Sequence, residues 1–125
     1  MSIHYDLDTV KIALAELPEK ILDWAEEVLV QQAELIVGLA KIYVRVETGS
    51  LRDSIRLERG GEGMNWRRIR VRAGGYITNP KTGRLVDYAR LIEHKFPFMT
   101  PALNEVKPTI AAMIKAKIVE NANAL

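Results

Sequence analysis

The longest unbroken pattern in the chain runs from Pro18 to Val44, where apolar residues recur every three to four positions and no second proline intervenes. Ile21, Trp24, Ala25, Val28, Leu35, Ile36, Leu39 and Tyr43 make one track, and Leu22, Leu29, Ala33, Val37, Ala40 and Val44 make a second beside it. This spacing predicts a helix over residues 18–45, opened by Pro18 and the favourable acid Glu19 and roughly 40 Å long. Its apolar residues cover more than half its girth. A domain of this size has a radius of gyration of about 14 Å, too small to wrap such a rod. The surplus, with Leu22, Leu29, Ala33 and Val37 as candidates, is expected to meet another copy or another protein.

Residues 1–17 are expected to form an arm or a short helix, with Asp8 as cap and Val10, Ile12, Ala13 and Leu17 on one side. Beyond the long helix, Thr48-Gly49-Ser50-Leu51-Arg52-Asp53-Ser54-Ile55 reads as a corner. Gly49 supplies the pivot, Ser50 and Asp53 approximate a capping box, and Leu51 and Ile55 point back towards the helix. Ser54–Arg59 and Trp66–Ala73 then alternate, joined by a glycine-rich connection, which predicts an antiparallel hairpin region over 54–86. Within it Ile69, Val71 and Ala73 face inward and Arg68, Arg70 and Arg72 outward. Asn79-Pro80 and Thr82-Gly83 mark a further turn. A short helix is expected over 86–95 and a last one over 100–120, with Thr100 as its cap, Pro101 in its first turn, and Pro108 kinking or splitting it. The sum is a single α+β domain, a long N-terminal helix and a C-terminal helix packed on a small antiparallel sheet.

The 125 residues, 48% hydrophobic and 27% charged, suit one folded unit. Cysteine is absent, which excludes disulfides and thiolate metal sites. The opening residues lack the pattern of a secretory signal, and no apolar run is long enough to span a bilayer, so no membrane partner is expected and the cytosol, or something assembled there, is the expected location. Net charge is only +2, but it is unevenly spread. Residues 1–49 carry four basic against nine acidic side chains, and residues 50–95 eleven against five. Such polarity suits head-to-tail contact between copies or a basic face turned to an acidic partner.

No catalytic or metal-binding constellation emerges. His4 and His94 sit in no ligand spacing, Ser50 and Ser54 have no histidine base nearby, and adjacent Glu93 and His94 point to different sides of a helix. No cofactor fingerprint is present, and the chain reads as a non-enzyme. Its most pointed chemistry is the arginine row, three guanidinium groups suited to phosphates or carboxylates. One reading of that row is a nucleic-acid-binding module.

Two blocks carry a resemblance. Thr48-Gly49-Ser50-Leu51, with Ser54 and Ile55, resembles the first motif of the gene-product-ten-like tail-completion family of long-tailed bacteriophages. Tyr88-Ala89, Glu93, Pro97-Phe98, Pro101-Ala102 and Leu103 resemble its second. The family usually has a Gly-Thr and a loop after the glutamate, where this chain runs straight through His94-Lys95-Phe96. The resemblance implies a structural subunit of the virion neck, assembled in the host cytoplasm and closing into a hexameric ring. Its implied partners are head-closure or adaptor proteins and the tail tube or tail terminator, with transient, non-specific contact to the genome passing through. A head-closure or tail-terminator role in the same neck is the neighbouring alternative. The motif residues are expected to act as fold determinants, and Arg68, Arg70 and Arg72 to line the channel or face an acidic partner.

Overall fold

The structure, a computed structural model, describes residues 1–15, 17–44, 50–74, 77–78, 85–86 and 88–124. In chain order these form β1 (Ser2–Asp6), β2 (Thr9–Ala15), α1 (Glu19–Tyr43), α2 (Ser50–Ser54), β3 (Arg56–Gly60), β4 (Trp66–Arg72), β5 (Ile77–Thr78), β6 (Leu85–Val86), α3 (Tyr88–Lys95) and α4 (Met99–Asn123). The α+β architecture expected from the pattern is present, with a larger sheet. Four antiparallel strands lie in the order β1-β2-β4-β3, and β5 and β6 form a separate two-stranded ribbon.

The added strands correct the reading of residues 1–17. Val10, Ile12 and Leu14 are buried while Thr9, Lys11 and Ala13 are not, a period of two. The same residues also fit a helical spacing, but β4 offers an inner edge that β2 fills along its whole length, Thr9 opposite Arg72 through Ala15 opposite Trp66. A tertiary ladder outweighs local propensity here. The β1–β2 turn lacks the usual Asn-Gly or Asp-Gly signal and places Leu7 at φ +39°. At the other hairpin, Gly61 takes φ +87°, where a Cβ would stand 2.4 Å from the Trp66 carbonyl oxygen.

One face of the sheet packs on the helices. Inward residues Val10, Ile12, Ile69 and Val71 meet the α1 residues Leu22, Ala25, Leu29, Ala33, Ile36 and Ala40, all buried. α4 runs antiparallel to α1, as three contacts show. Lys117 lies 3.6 Å from Glu27, Thr109 Oγ1 donates to Gln32 Oε1 at 3.2 Å, and the Tyr43 hydroxyl donates to Glu105. Its buried edge is Ala102, Leu103, Val106, Ile110 and Ile114.

Two further expectations change. Leu22, Leu29 and Ala33 are enclosed in the chain's own core and offer nothing to a second copy; Val37 is half-buried. The second track was expected to face a neighbour, whereas the sheet and α4 together cover one broad stripe drawn from both tracks. Pro108 does not split α4, which is continuous through it. Pro108 and Asn104 both lie on the exposed side, so the Asn104 carbonyl that loses its helical partner faces water.

This division sets a test on adjacent α1 residues. Ile36→Ala is expected to cost about 2–4 kcal/mol in urea unfolding of the dilute chain, and Leu35→Ala about 0.5 kcal/mol or less.

Candidate functional site

Alternation along four paired strands builds one outer face of the sheet. The register sets His4, Lys11, Arg70 and Glu58 in one row and Asp6, Thr9, Arg72 and Arg56 in the next, with Arg68 beyond them opposite Ala13 and Gly60. Arg68, Arg70 and Arg72 therefore do share the outward face, as their spacing predicts. Sequence reading missed Lys11, because residues 9–15 were not read as a strand.

The charges on this face are unevenly compensated. Glu58 accepts from Arg72 at 3.2 Å and lies 3.8 Å from Arg56. Arg90 reaches Asp6 and Asp8, each at 3.4 Å. The Arg68 guanidinium lies 5.6 Å from the centre of the Trp66 ring. Lys11 and Arg70, directly opposed across the ladder, have no ion-pair partner among the described residues. Like charges so placed repel. An open depression of about 280 Å³ is lined by His4, Asp6, Thr9, Lys11, Arg70 and Arg72. Its chemistry is that of an anion surface, holding phosphate or carboxylate oxygens by charge and N–H donation.

The inner polar groups do different work. Arg67, in phase with Ile69 and Val71, points inward and is only 2% exposed. It lies 2.8 Å from Asp23 and 3.1 Å from Glu26 of α1, and it donates to the carbonyls of Gly61, Met64 and Trp66. Glu26 also pairs with Arg59. The signal for this network was a cation at an inward strand position, which demands carboxylate partners within reach.

The second polar knot is Glu93, also 2% exposed. Its Oε2 accepts from the Phe98 and Met99 amides at 2.7 and 3.0 Å. Its Oε1 accepts from the Thr100 amide at 2.9 Å, the Thr100 hydroxyl at 2.8 Å and the Tyr5 hydroxyl at 2.7 Å. Helix α4 thus starts one residue before the expected position and is capped from α3 rather than by Thr100, whose hydroxyl is itself a donor to the carboxylate. Burial alone would raise the Glu93 carboxyl, but the amides of Phe98 and Met99, with the Tyr5 and Thr100 hydroxyls, outweigh it and hold it below the usual range. Burial, with the adjacent carboxylate, pushes the Tyr5 hydroxyl up.

The first motif is another tie. Leu51 and Ile55 are buried, and Ser54 Oγ donates to the Leu51 carbonyl while accepting from the Gly74 amide at 2.7 Å. Thr48 and Gly49 lie outside the described residues, while the backbone of Ser50 opens α2. Among the described residues no cluster of His, Asp and Glu is arranged to hold a metal ion, and no helix is long and apolar enough to cross a membrane.

Residues 8–94 match the family described as "HK97-gp10_like: Bacteriophage HK97-gp10, putative tail-component". The chain belongs to the HK97-gp10-like family. The match spans β2 to the capping glutamate and covers the lysine and arginines of the basic face and the Arg67 network. No curated protein and no solved structure matches the chain. Family membership makes this a bacteriophage tail-component protein, associated with the virion and working among other phage structural proteins. Of the second-block residues in this HK97-gp10-like chain, Ala89, Glu93, Phe98, Ala102 and Leu103 are buried and Pro97 is exposed. Pro101 is half-buried, and Tyr88 contributes the first backbone position of α3.

Glu93→Gln is expected to cost about 2–4 kcal/mol in denaturant unfolding at neutral pH, and Tyr5→Phe about 1 kcal/mol. Because the folded-state Glu93 carboxyl is held low, its contribution is full above the unfolded value of about 4.3 and is lost as pH falls through the folded value. The stability gap between wild type and Glu93→Gln should therefore close on acidification below about pH 4, measured as parallel pH series of unfolding midpoints.

Proposed function

We propose that this chain is a tail-completion subunit, a structural protein that closes into a ring in the virion neck between the head-closure or portal complex and the tail tube. The observation that carries the reading is the family match over residues 8–94, which makes the chain a phage tail component. Two structural features support the finer assignment. Large apolar residues remain exposed on α1, as a self-assembling subunit requires. The sheet's outer face is cationic with Lys11 and Arg70 uncompensated, fitting a wall that DNA slides past or an acidic neighbour in the neck. On this reading the motif residues set the fold, and Arg68, Arg70 and Arg72 face the channel or the partner.

The test is assembly without the protein. Phage lacking it should yield filled heads and finished tails that stay apart, and purified wild-type protein should restore joining. Tails of uncontrolled length would instead indicate a terminator, and heads that leak their genome a head-closure protein.

A second reading, a nucleic-acid-binding module, draws on the same unpaired cations. The ring reading predicts duplex DNA binding that is weak and falls steeply with salt, since sliding requires non-specific phosphate contact. In the triple variant Arg68→Ala, Arg70→Ala, Arg72→Ala, the slope of log K against log salt should flatten by up to about 3. Tight, sequence-selective binding at physiological salt would favour the second reading.

A further inference from the structure

The outward side of α1 changes character along its length. Beyond its first turn, the exposed positions as far as Glu34 are Asp23, Glu27, Gln31 and Glu34. From there on they are Leu35, Gly38, Lys41, Ile42 and Tyr43, with Leu35, Gly38 and Ile42 three to four residues apart and half-buried Leu39 beside them. Leu35 is 55% exposed and Ile42 74%. A solvent-facing side should stay polar throughout, so this half of the face is matched to something outside the chain.

Gly38 is the second irregularity. Glycine weakens a helix interior relative to alanine. A Cβ at this position would meet nothing within 4 Å, so internal packing does not require the glycine. Between two large apolar residues it leaves a notch where another backbone can approach closely.

The chain also carries the complementary shape. Leu14, Ala111, Ile114, Ile118 and Val119 line an open groove of about 260 Å³ whose wall is nearly all carbon. Because α1 and α4 are antiparallel, the groove sits towards the opposite end of the helix pair from the ridge. The charges flanking the two surfaces are also complementary. Glu34 and Lys41 bracket the ridge, Lys115 and Glu120 bracket the groove, and none of the four has an ion-pair partner among the described residues.

We propose that the Leu35–Gly38–Ile42 ridge of one copy seats in the Leu14–Ile114–Val119 groove of the next. A second copy is the occupant, because ridge and groove, each with matching border charges, are present on one chain. The contact joins two different surfaces, so it leaves a free ridge and a free groove at the ends of any chain of copies and is satisfied only by closure. The proposal rests on the ring-subunit reading and names its contact.

Analytical ultracentrifugation of four full-length proteins tests it: wild type, Ile42→Asp, Val119→Asp and Gly38→Ala. Wild type should assemble with concentration. Ile42→Asp and Val119→Asp should each associate about tenfold more weakly or worse, with unchanged circular dichroism, since both positions are exposed. Mixed together, these two should form a one-to-one pair and nothing larger, because each retains the surface the other lacks. Gly38→Ala should melt about 2–6 °C higher when dilute yet associate less well. Assembly of all three variants at wild-type strength overturns this contact and leaves the ring reading standing. A wild type that stays single at high concentration overturns both.

Discussion

The amides that open α4 are enclosed, and the fold depends on how they are satisfied. A helix N-terminus presents N–H groups with no partner of their own, and away from water each is costly to leave unmade. Glu93 supplies both carboxylate oxygens to that turn, and Tyr5 reaches it from the edge strand. One side chain thereby ties β1, α3 and α4 together. The start of α4 in turn fixes the line along which it packs on α1, and so which apolar residues both helices hide.

Interior and exterior charges on the sheet have separate jobs. Arg67 points in, is satisfied by two carboxylates and three carbonyls, and holds sheet to helix. Its neighbours in phase on the other side, Arg68, Arg70 and Arg72, point out and are only partly compensated. The fold does not consume that outer row. A tail component can therefore keep a cationic surface for contact while the tie between its sheet and helix rests on a different, buried guanidinium.

The long helix, the β3–β4 hairpin and the outward arginines were legible because each rests on a local period of 3.6 or 2 that nothing overrides. The N-terminal strands were not, since Val10, Ile12, Ala13 and Leu17 fit a helix until β4 offers its edge, and Leu7 gives no turn signal. Which half of α1 stays bare was equally hidden: Leu29 and Leu35 look alike until the sheet and α4 take the same side. Glu93 stood out in the sequence as a motif residue, but its role as a cap acting across an intervening turn requires the folded geometry.

Arg67 also governs where this chain can change length. Two of its acceptors are carbonyls from the connection between β3 and β4 and a third is that of Trp66, where β4 begins, so that segment is measured from inside by a single guanidinium. An inserted residue there would pull a carbonyl away and leave a buried N–H of that guanidinium short of an acceptor, however exposed the loop's own side chains are. A change of length is thereby borne more cheaply at connections that carry no such internal gauge.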